Sequence, residues 1–259
     1  MIADGYDDFL FDLDGVLYRG TDPIPGAAAA VARLRELGKG LAFVTNNSSR
    51  TPDEVVQHLG SVGIGAGPAE VVTSAMVTAD VIAERGLRTA FVIGGAGLRS
   101  AMSDRGLELR TDAPSGVDVV VVGFDPHVDY DALRTAAVLI EKGAAFVASN
   151  GDGSFPAADG YAWPGAGAIV AAIETTTGTT AEVVGKPHAP LLLAAHRAAG
   201  GGRPLLIGDR LDTDIAGALE LGWDAALVLT GIATREQAET GAIRPTYVLS
   251  DLGDLVGAD

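Results

Sequence analysis

The chain has 259 residues, of which 47% are hydrophobic and 20% are charged, with no cysteine and a formal net charge of −16 at pH 7. The absence of cysteine excludes disulfides, thiolate nucleophiles, cysteine-ligated zinc and iron–sulfur clusters. The negative charge disfavours nucleic acid and anionic membranes as partners, and any phosphate site on this chain needs a local positive charge from a metal ion or a lysine.

Short runs of Val, Ile, Leu and Phe alternate with amphipathic or Ala-rich stretches along most of the chain. The predicted strands span residues 9–13, 41–45, 89–93, 117–124, 144–149, 204–209 and 225–230. The predicted helices span residues 27–37, 52–62, 130–142, 166–177, 190–199 and 213–221. Because the strand segments are apolar on both faces and alternate with helices, they predict an α/β fold with a Rossmann-like parallel sheet.

Polar side chains that follow an apolar run are candidates for a functional site, because ligands bind beyond the carboxyl ends of the strands in such sheets. The first candidate segment is FLFDLDGVLYRG, in which Asp12 ends the run and Asp14 follows two residues later. Two carboxylates at that spacing lie about 6 to 7 Å apart and repel by about 2.5 kcal/mol at an effective dielectric of about 20. The pair therefore needs a cation, although a strand end with an Asx or glycine turn is the commoner origin of such a string in isolation.

The second segment is LAFVTNNSSRT, which places Thr45, Asn46 and Asn47 between an apolar run and a helix. A hydroxyl group followed by free backbone amides suits phosphate oxygens. The serines and the threonine that come next also suit the N-cap of the helix, which explains part of the polar cluster without any ligand.

The third segment is VVGKPHAP, with Lys186 ahead of a helical stretch. Apart from Lys39 and Lys142, the positive side chains of this chain are arginines, which favours a site that needs a compact point charge at Lys186. A solvated surface lysine is the alternative. The segment is not a P-loop, since Pro187 follows the lysine and the preceding spacing lacks the required glycine.

The fourth segment is PLLIGDRLDTDIAGALELG, where Asp209 ends a predicted strand and Asp212 and Asp214 stand at the opening of a helix. Acids in a first helical turn are favourable without any function, and Asp212 suits an N-cap. Asp209 precedes the cap, so the capping explanation does not apply to it.

If folding brings the ends of these segments together, their acids form a pocket that is unstable without a cation. The acids concerned are Asp12, Asp14, Asp209 and Asp214. Mg²⁺ suits such a pocket because it takes hard oxygen ligands and keeps positions for water or substrate phosphate. Lys186 and Thr45 would then hold the phosphoryl oxygens.

The order of these motifs, DxDG, TNN, GKP and GDRLDTD, resembles that of the haloacid dehalogenase (HAD) superfamily. Within it the chain is similar to subfamily IIA, the NagD-like and p-nitrophenylphosphatase-like branch, which the strings VVVGFD and PGAGAIVAAIE also resemble. The resemblance implies a Mg²⁺-dependent phosphatase acting on small phosphate monoesters, such as sugar phosphates, glycerol phosphate, phosphoglycolate or p-nitrophenyl phosphate. It also implies a discontinuous hydrolase core at residues 1–78 and 184–259, with an inserted C2-type α/β cap domain at residues 79–183.

The resemblance assigns a role to each motif residue. Asp12 is the implied nucleophile that forms an aspartyl phosphate, and Asp14 is the implied general acid and base. The implied Mg²⁺ ligands are the carboxylates of Asp12 and Asp209 and the backbone carbonyl of Asp14, with Asp214 orienting that shell directly or through water. The groups implied to stabilise charge on the phosphoryl oxygens are Thr45, the Asn46 amide and Lys186.

The inserted domain is expected to exclude water and to select the leaving group, with the loops at residues 124–130 and 150–155 as candidates for that selection. The candidate substrate-binding residues are Asn47, Asn150, Asp152 and Phe155. A structural reading remains open, because Asn150 and Asp152 also suit turns and Phe155 suits a core.

Three alternatives remain. A response-regulator receiver also phosphorylates a strand-end aspartate beside Mg²⁺, but it is a shorter domain and lacks a second acid at the position of Asp14. A dinucleotide-dependent oxidoreductase would explain FVIGGAGLRS, yet Gly94, Gly95 and Gly97 do not form G-x-G-x-x-G and are predicted to form a turn. A phosphotransferase on the same scaffold differs only in its acceptor, since water competes unless the cap excludes it.

The expected partner is a small phosphorylated metabolite, and the resemblance makes a homodimer an expectation as well. Neither nucleic acid nor a membrane is expected. The acidic start MIADGYDDFLFD and the absence of an apolar run of about 20 residues predict a cytoplasmic protein without a signal peptide or membrane span.

Overall fold

The structure is a computed structural model that describes residues 1–111, 116–156 and 161–257. The strands are β1 Asp8–Phe11, β2 Tyr18–Arg19, β3 Asp22–Pro23, β4 Gly40–Thr45, β5 Val71–Thr73, β6 Thr89–Ile93, β7 Glu108–Leu109, β8 Val119–Val122, β9 Ala145–Ala148, β10 Ser154–Pro156, β11 Ala162–Pro164, β12 Glu182–Val183, β13 Pro204–Gly208, β14 Asp224–Val228 and β15 Tyr247–Leu249. The α-helices are α1 Ala27–Glu36, α2 Pro52–Ser61, α3 Ser74–Glu84, α4 Ala96–Asp104, α5 Tyr130–Glu141, α6 Ala166–Thr177, α7 Ala189–Ala199, α8 Ala216–Glu220, α9 Arg235–Thr240 and α10 Gly253–Val256. A π-helical turn, Leu211–Ile215, precedes α8.

The chain divides into two compact units. The first comprises Met1–Thr45, Pro52–Val72 and Lys186–Asp259, and the second comprises Asn46–Thr51 and Thr73–Gly185. The division therefore lies near residues 72 and 185, whereas the sequence placed it at residues 78 and 183. Residue 78 falls inside α3, whose N-cap Thr73 accepts a hydrogen bond from the Met76 amide.

The first unit is built on a six-stranded sheet with the strand order β15-β14-β13-β1-β4-β5. Strand β1 lies between β13 and β4 and runs parallel to both, and all four of its residues are buried. A central strand of a parallel sheet is covered on both faces, which explains the apolar run FLF that follows Asp8 in this strand. Stacked rings of Phe9, Phe11 and Phe43 form part of the core of this unit.

The register of this sheet decides where the polar strand ends meet. Phe11 of β1 pairs with Ile207 of β13 on one side and with Phe43 of β4 on the other. Because the three strands are parallel, the residues that follow them emerge at the same edge of the sheet. Asp12, Asp209 and Thr45 all stand within two residues of these pairs, so the topology assembles them.

The second unit has a five-stranded sheet with the order β12-β9-β8-β6-β7, in which each neighbouring pair is parallel. Strand β8, a run of four buried valines, lies at its centre. Asp129 is the N-cap of helix α5, and its carboxylate accepts a hydrogen bond from the Ala132 amide and so satisfies an otherwise unpaired donor. Buried residues of β6, β8, β9, α5 and α6 form the core.

The predicted α/β class with parallel sheets is confirmed, and differences are confined to details. Gly97, predicted in a turn, lies in α4. The predicted loop at residues 150–155 runs into strand β10, which pairs antiparallel with β11. None of the helices in the described ranges is long and apolar enough to cross a bilayer.

Candidate active site

Three aspartates of the first unit meet at the carboxyl edge of its sheet. Asp12 follows β1, Asp209 follows β13, and Asp214 lies in the π-helical turn after β13. One carboxylate oxygen from each lies within 4.8 Å of those of the other two. Asp209 and Asp214 are buried and Asp12 is partly exposed, so this group of acids stands largely out of water.

Lys186 lies inside this group of acids. Its Nζ is 2.5 Å from Oδ1 of Asp12 and 2.7 Å from Oδ1 of Asp214, and its side chain is only 3% exposed. Burial by itself lowers the pKa of Lys186, but the carboxylates of Asp12 and Asp214 outweigh burial and raise that pKa above its ordinary value. The side chain is therefore an ammonium ion at neutral pH, and the alternative of a solvated surface lysine does not apply.

The acids outnumber the base in this cluster. Burial raises the pKa of Asp12 well above its ordinary value, and the charges of Asp214 and Asp209 raise it further, while Lys186 opposes the shift. Burial and the charge of Asp214 likewise raise the pKa of Asp209 to about 6. The hydrogen bond from the Ile232 amide and the charge of Lys186 act in the opposite direction. The protein without a further cation thus favours protonation of acids that would otherwise repel one another.

The donor set fits a divalent metal ion. Three carboxylates and one ammonium group leave two negative charges uncompensated when all are ionised. Mg²⁺ takes oxygen ligands of this kind and is usually held by one or two carboxylates, with water or phosphate completing its shell. Asp12, Asp209 and Asp214 are therefore the residues that would hold it, and Lys186 is the positive group of the chain itself.

A glycine keeps Asp214 in its place. A Cβ atom added at Gly208 would lie 2.2 Å from Cβ of Asp214 and 2.3 Å from its carboxyl carbon. Those atoms belong to a fully buried side chain, so they have little room to move. The glycine that ends β13 thus allows the π-helical turn to fold its carboxylate back against the strand.

Asp14 is placed differently from the other three acids. It is exposed and makes an isolated bridge with Tyr18 in the turn after β1. Gly15 has a φ of +82° and donates its amide to the Tyr18 carbonyl at 2.8 Å, which explains why a glycine follows Asp14. Its exposed position suits a group that exchanges protons with a leaving group and with water.

Thr45 and Asn46 belong to different units. Thr45 ends β4 in the first unit and is buried. Asn46 opens the second unit, where its Nδ2 donates to both carboxylate oxygens of Asp152 at 3.2 Å. Its carbonyl oxygen accepts hydrogen bonds from Asn150 Nδ2 at 2.8 Å and from Ser74 Oγ at 2.7 Å. The second unit therefore holds Asn46 by both its side chain and its backbone.

The other predicted substrate-binding residues have local contacts. Asn47 is exposed, and its Oδ1 accepts hydrogen bonds from the backbone amide and the hydroxyl of Ser49, at 2.9 Å and 2.7 Å. This Asx turn is a local structural role for Asn47, and substrate binding by this residue stays a prediction. Phe155 is partly buried and makes edge-on contacts with Phe124 and Trp163, at centroid distances of 5.0 Å and 6.4 Å.

Sequence reasoning missed the segment that follows β14. Ile232 donates its backbone amide to Oδ2 of Asp209 at 2.8 Å. The signal was present, because Thr230 and Gly231 follow an apolar run just as the four chosen segments do. Ser74 was also missed, since its hydroxyl acts on a backbone carbonyl that is 28 positions away.

Comparisons with known proteins agree with this geometry. Residues 9–108 match the family of haloacid dehalogenase-like hydrolases, and residues 183–255 match a HAD-hydrolase-like family. An acid sugar phosphatase of Staphylococcus aureus is 37% identical over 254 residues, which cover 97% of each chain. The crystal structure of a glycerol phosphate phosphatase of Mycobacterium tuberculosis in complex with magnesium is 37% identical, with a TM-score of 0.91 over 98% of this chain and 77% of that one.

A third relative is the 4-nitrophenylphosphatase of Thermotoga maritima, whose crystal structure is 32% identical with a TM-score of 0.91. The similarity covers 100% of this chain and 99% of that one. Full-length similarity at these identities extends well beyond the short motifs. The chain therefore belongs to the haloacid dehalogenase superfamily of hydrolases, in the NagD-like, p-nitrophenylphosphatase-like branch that its four ordered motifs resemble.

Proposed function

We propose that this protein is a Mg²⁺-dependent phosphatase that hydrolyses small phosphate monoesters through an aspartyl phosphate on Asp12. The observation that carries the proposal is the buried contact of Lys186 with Asp12 and Asp214, beside the carboxylate of Asp209. One buried lysine among three acids, two of them buried and one partly exposed, is an arrangement suited to a divalent cation and an anionic substrate. The relatives named above as phosphatases support the same function.

The chemistry begins at Asp12. Its carboxylate attacks phosphorus, the bond to the ester oxygen breaks, and Asp14 protonates the departing oxygen. Asp14 then takes a proton from the water that hydrolyses the aspartyl phosphate, which releases phosphate and restores Asp12. A bound Mg²⁺ supplies positive charge to the phosphoryl oxygens.

Lys186 has two tasks in this scheme. Its ammonium group opposes the rise in the pKa of Asp12 and so favours the ionised form of the nucleophile. The same charge compensates the oxygens of the phosphoryl group, together with the hydroxyl of Thr45 and the amide of Asn46. Electrostatic stabilisation of this kind is the main contribution of a protein to phosphoryl transfer.

The proposed substrates are phosphates of small polyols and sugars, with aryl phosphates as convenient reporters. The relatives are named as phosphatases of sugar phosphate, glycerol phosphate and 4-nitrophenyl phosphate. Asn150, Asp152 and Phe155 of the second unit are the proposed contacts to the leaving group. A small phosphorylated metabolite as partner, a homodimer and a cytoplasmic location also belong to the proposal, the last because a chain without cysteine needs no oxidising compartment.

The test is phosphate release from 4-nitrophenyl phosphate and from a panel of phosphorylated metabolites. Activity is expected with Mg²⁺ and not with EDTA, and Asp12→Asn is expected to be inactive while still folded. Asp212→Asn is the matched control, because Asp212 is an exposed acid of the same region, paired with Arg210. Turnover that survives chelation, or that persists in Asp12→Asn, contradicts the proposal.

A further inference from the structure

Two backbone amides of the segment after β14 donate hydrogen bonds to Asp209. The amide of Ile232 donates to Oδ2 of Asp209 at 2.8 Å, and the amide of Ala233 donates to the Asp209 carbonyl at 3.0 Å. The Ile232 side chain is 53% exposed, so it contributes little to the core. The structural contribution of this residue is therefore its backbone amide, which donates to the carboxylate of Asp209.

Two glycines allow this approach. A Cβ atom at Gly231 would lie 2.0 Å from Oδ2 of Asp209, and one at Gly15 would lie 2.4 Å from the same oxygen. A Cβ atom at Gly15 would also lie 3.2 Å from Cα of Gly231. Two backbone segments far apart in sequence thus pack against one carboxylate oxygen, at distances that exclude any side chain.

Thr230 and Arg19 join these segments. The Thr230 hydroxyl donates to the Gly15 carbonyl at 2.8 Å. Arg19 donates Nε to the Thr230 carbonyl at 2.8 Å, and a second guanidinium nitrogen reaches the same oxygen. The hydrogen bonds therefore run from Arg19 to Thr230 and from Thr230 to Gly15, which lies against Asp209.

We propose that Thr230 and Arg19 are positioning residues for metal binding, because they hold the backbone that orients the carboxylate of Asp209. With Oδ2 engaged by the Ile232 amide, the carboxylate cannot rotate freely, and Oδ1 is left for a cation. Neither residue touches the reacting atoms. The inference rests on the proposed function, since it assumes that Asp209 binds Mg²⁺.

The test measures Mg²⁺ affinity directly, by isothermal titration calorimetry without substrate. Thr230→Val keeps the shape of the side chain and removes the hydroxyl, and it is expected to raise the dissociation constant about tenfold, as loss of a group that orients a metal ligand does. Thr230→Ser is expected to restore nearly full affinity. Arg19→Met is expected to act in the same direction by about threefold, less than the roughly tenfold loss at a directly orienting group, because Arg19 contacts only the Thr230 carbonyl.

Matched controls lie in the same unit and away from the acids. Thr240 donates its hydroxyl to the Glu236 carbonyl at 2.8 Å, so Thr240→Val removes an equivalent bond. Arg244 donates its guanidinium to the Glu239 carbonyl, so Arg244→Met is the counterpart of Arg19→Met. Both controls are expected to bind Mg²⁺ as the wild type does. In steady-state kinetics at limiting Mg²⁺, Thr230→Val is expected to change kcat more than the KM for substrate.

The outcomes separate this inference from the function on which it rests. Wild-type binding of Mg²⁺ with unchanged affinity in Thr230→Val and Arg19→Met overturns the inference and leaves the phosphatase proposal intact. A wild type that binds no Mg²⁺ overturns both. If Thr230→Val does not fold, Arg19→Met decides the question, because its side chain is exposed and its loss leaves the core unchanged.

Discussion

Nζ of Lys186 lies 2.5 Å from Oδ1 of Asp12, although 174 positions separate the two residues in the chain. A buried ion pair is costly to break from one side, because the remaining charge stays buried without its partner. Lys186→Met is therefore expected to lower the free energy of unfolding in EDTA by about 3–5 kcal/mol. Lys142→Met, at an exposed lysine, is the control and is expected to leave stability nearly unchanged.

The double variant Asp12→Asn/Lys186→Met is expected to regain part of that stability, since both charges of the pair are then absent. Urea unfolding of the four proteins of this cycle measures the coupling. Strictly additive losses would show that the two side chains do not interact as the structure indicates. Lys186→Met and the double variant are both expected to be inactive in phosphate release.

Mg²⁺ is expected to stabilise the fold more at high pH than at low pH. The folded-state pKa of Asp209 is raised to about 6, above the value of about 3.9 for an unfolded chain. Without metal, its favourable contribution is therefore complete below about pH 4 and is lost as pH rises through about 6. Bound Mg²⁺ favours the ionised carboxylate, so the gain in melting temperature over EDTA should be larger at pH 7.5 than at pH 5.

Melting curves of the wild type at both pH values, with Mg²⁺ and with EDTA, provide the measurement. Asp209→Asn serves as the comparison, because residue 209 can then no longer titrate. In this variant Mg²⁺ is expected to raise the melting temperature over that in EDTA only slightly at either pH. An equal gain for the wild type at pH 5 and pH 7.5 would contradict the linkage between the carboxylate and the metal.

Gly208→Ala is expected to destabilise the protein, because the new methyl group would lie 2.2 Å from Cβ of the buried Asp214. Overpacking of a buried site costs about 1–3 kcal/mol, and displacement of Asp214 should also weaken Mg²⁺ binding. Gly60→Ala is the control, since Gly60 is exposed in α2 with nothing within 4 Å of an added Cβ. That change is expected to stabilise by about 0.5–1 kcal/mol, and equal effects in the two variants would refute the packing argument.

Asp152→Ala is expected to lower kcat/KM about tenfold, because Asn46 loses the carboxylate that accepts two hydrogen bonds from its side-chain amide. Asp152→Asn keeps one carbonyl acceptor and should retain more activity. Steady-state kinetics with two substrates of different leaving groups provide the readout. A loss of similar size with both substrates would support the role of Asp152 in holding Asn46, whereas a loss confined to one substrate would leave only its proposed contact to the leaving group. Asp131→Ala, at an exposed acid on α5, should change nothing.

Much of the site could be predicted because its signals are local. A strand buried on both faces must be apolar throughout, so the residues that end the run, Asp12 and Asp209, stand out in the sequence. The rule that ligands meet the carboxyl ends of parallel strands then brings them together without knowledge of strand order. Thr230 and Gly231 obey the same rule, but an apparently ordinary threonine and glycine carry no charge that draws attention to them.

Other features depend on packing that no local pattern contains. Lys186 follows a glycine and precedes a proline, which suits a surface turn as well as a buried ion pair. The unit boundary also lies away from the predicted one, because α3 continues through residue 78.

Local patterns in the sequence are enough to predict the alternation of strands and helices, the polar residues that end each strand, and the excess of acid that requires a cation. These properties follow from burial and backbone geometry within a few residues of each position. Tertiary packing is what places Lys186 between Asp12 and Asp214. It also brings the Ile232 amide to Asp209 and the carboxylate of Asp152 to Asn46. Those contacts join segments up to 174 positions apart, and the strand order and register that create them arise only when the whole chain folds.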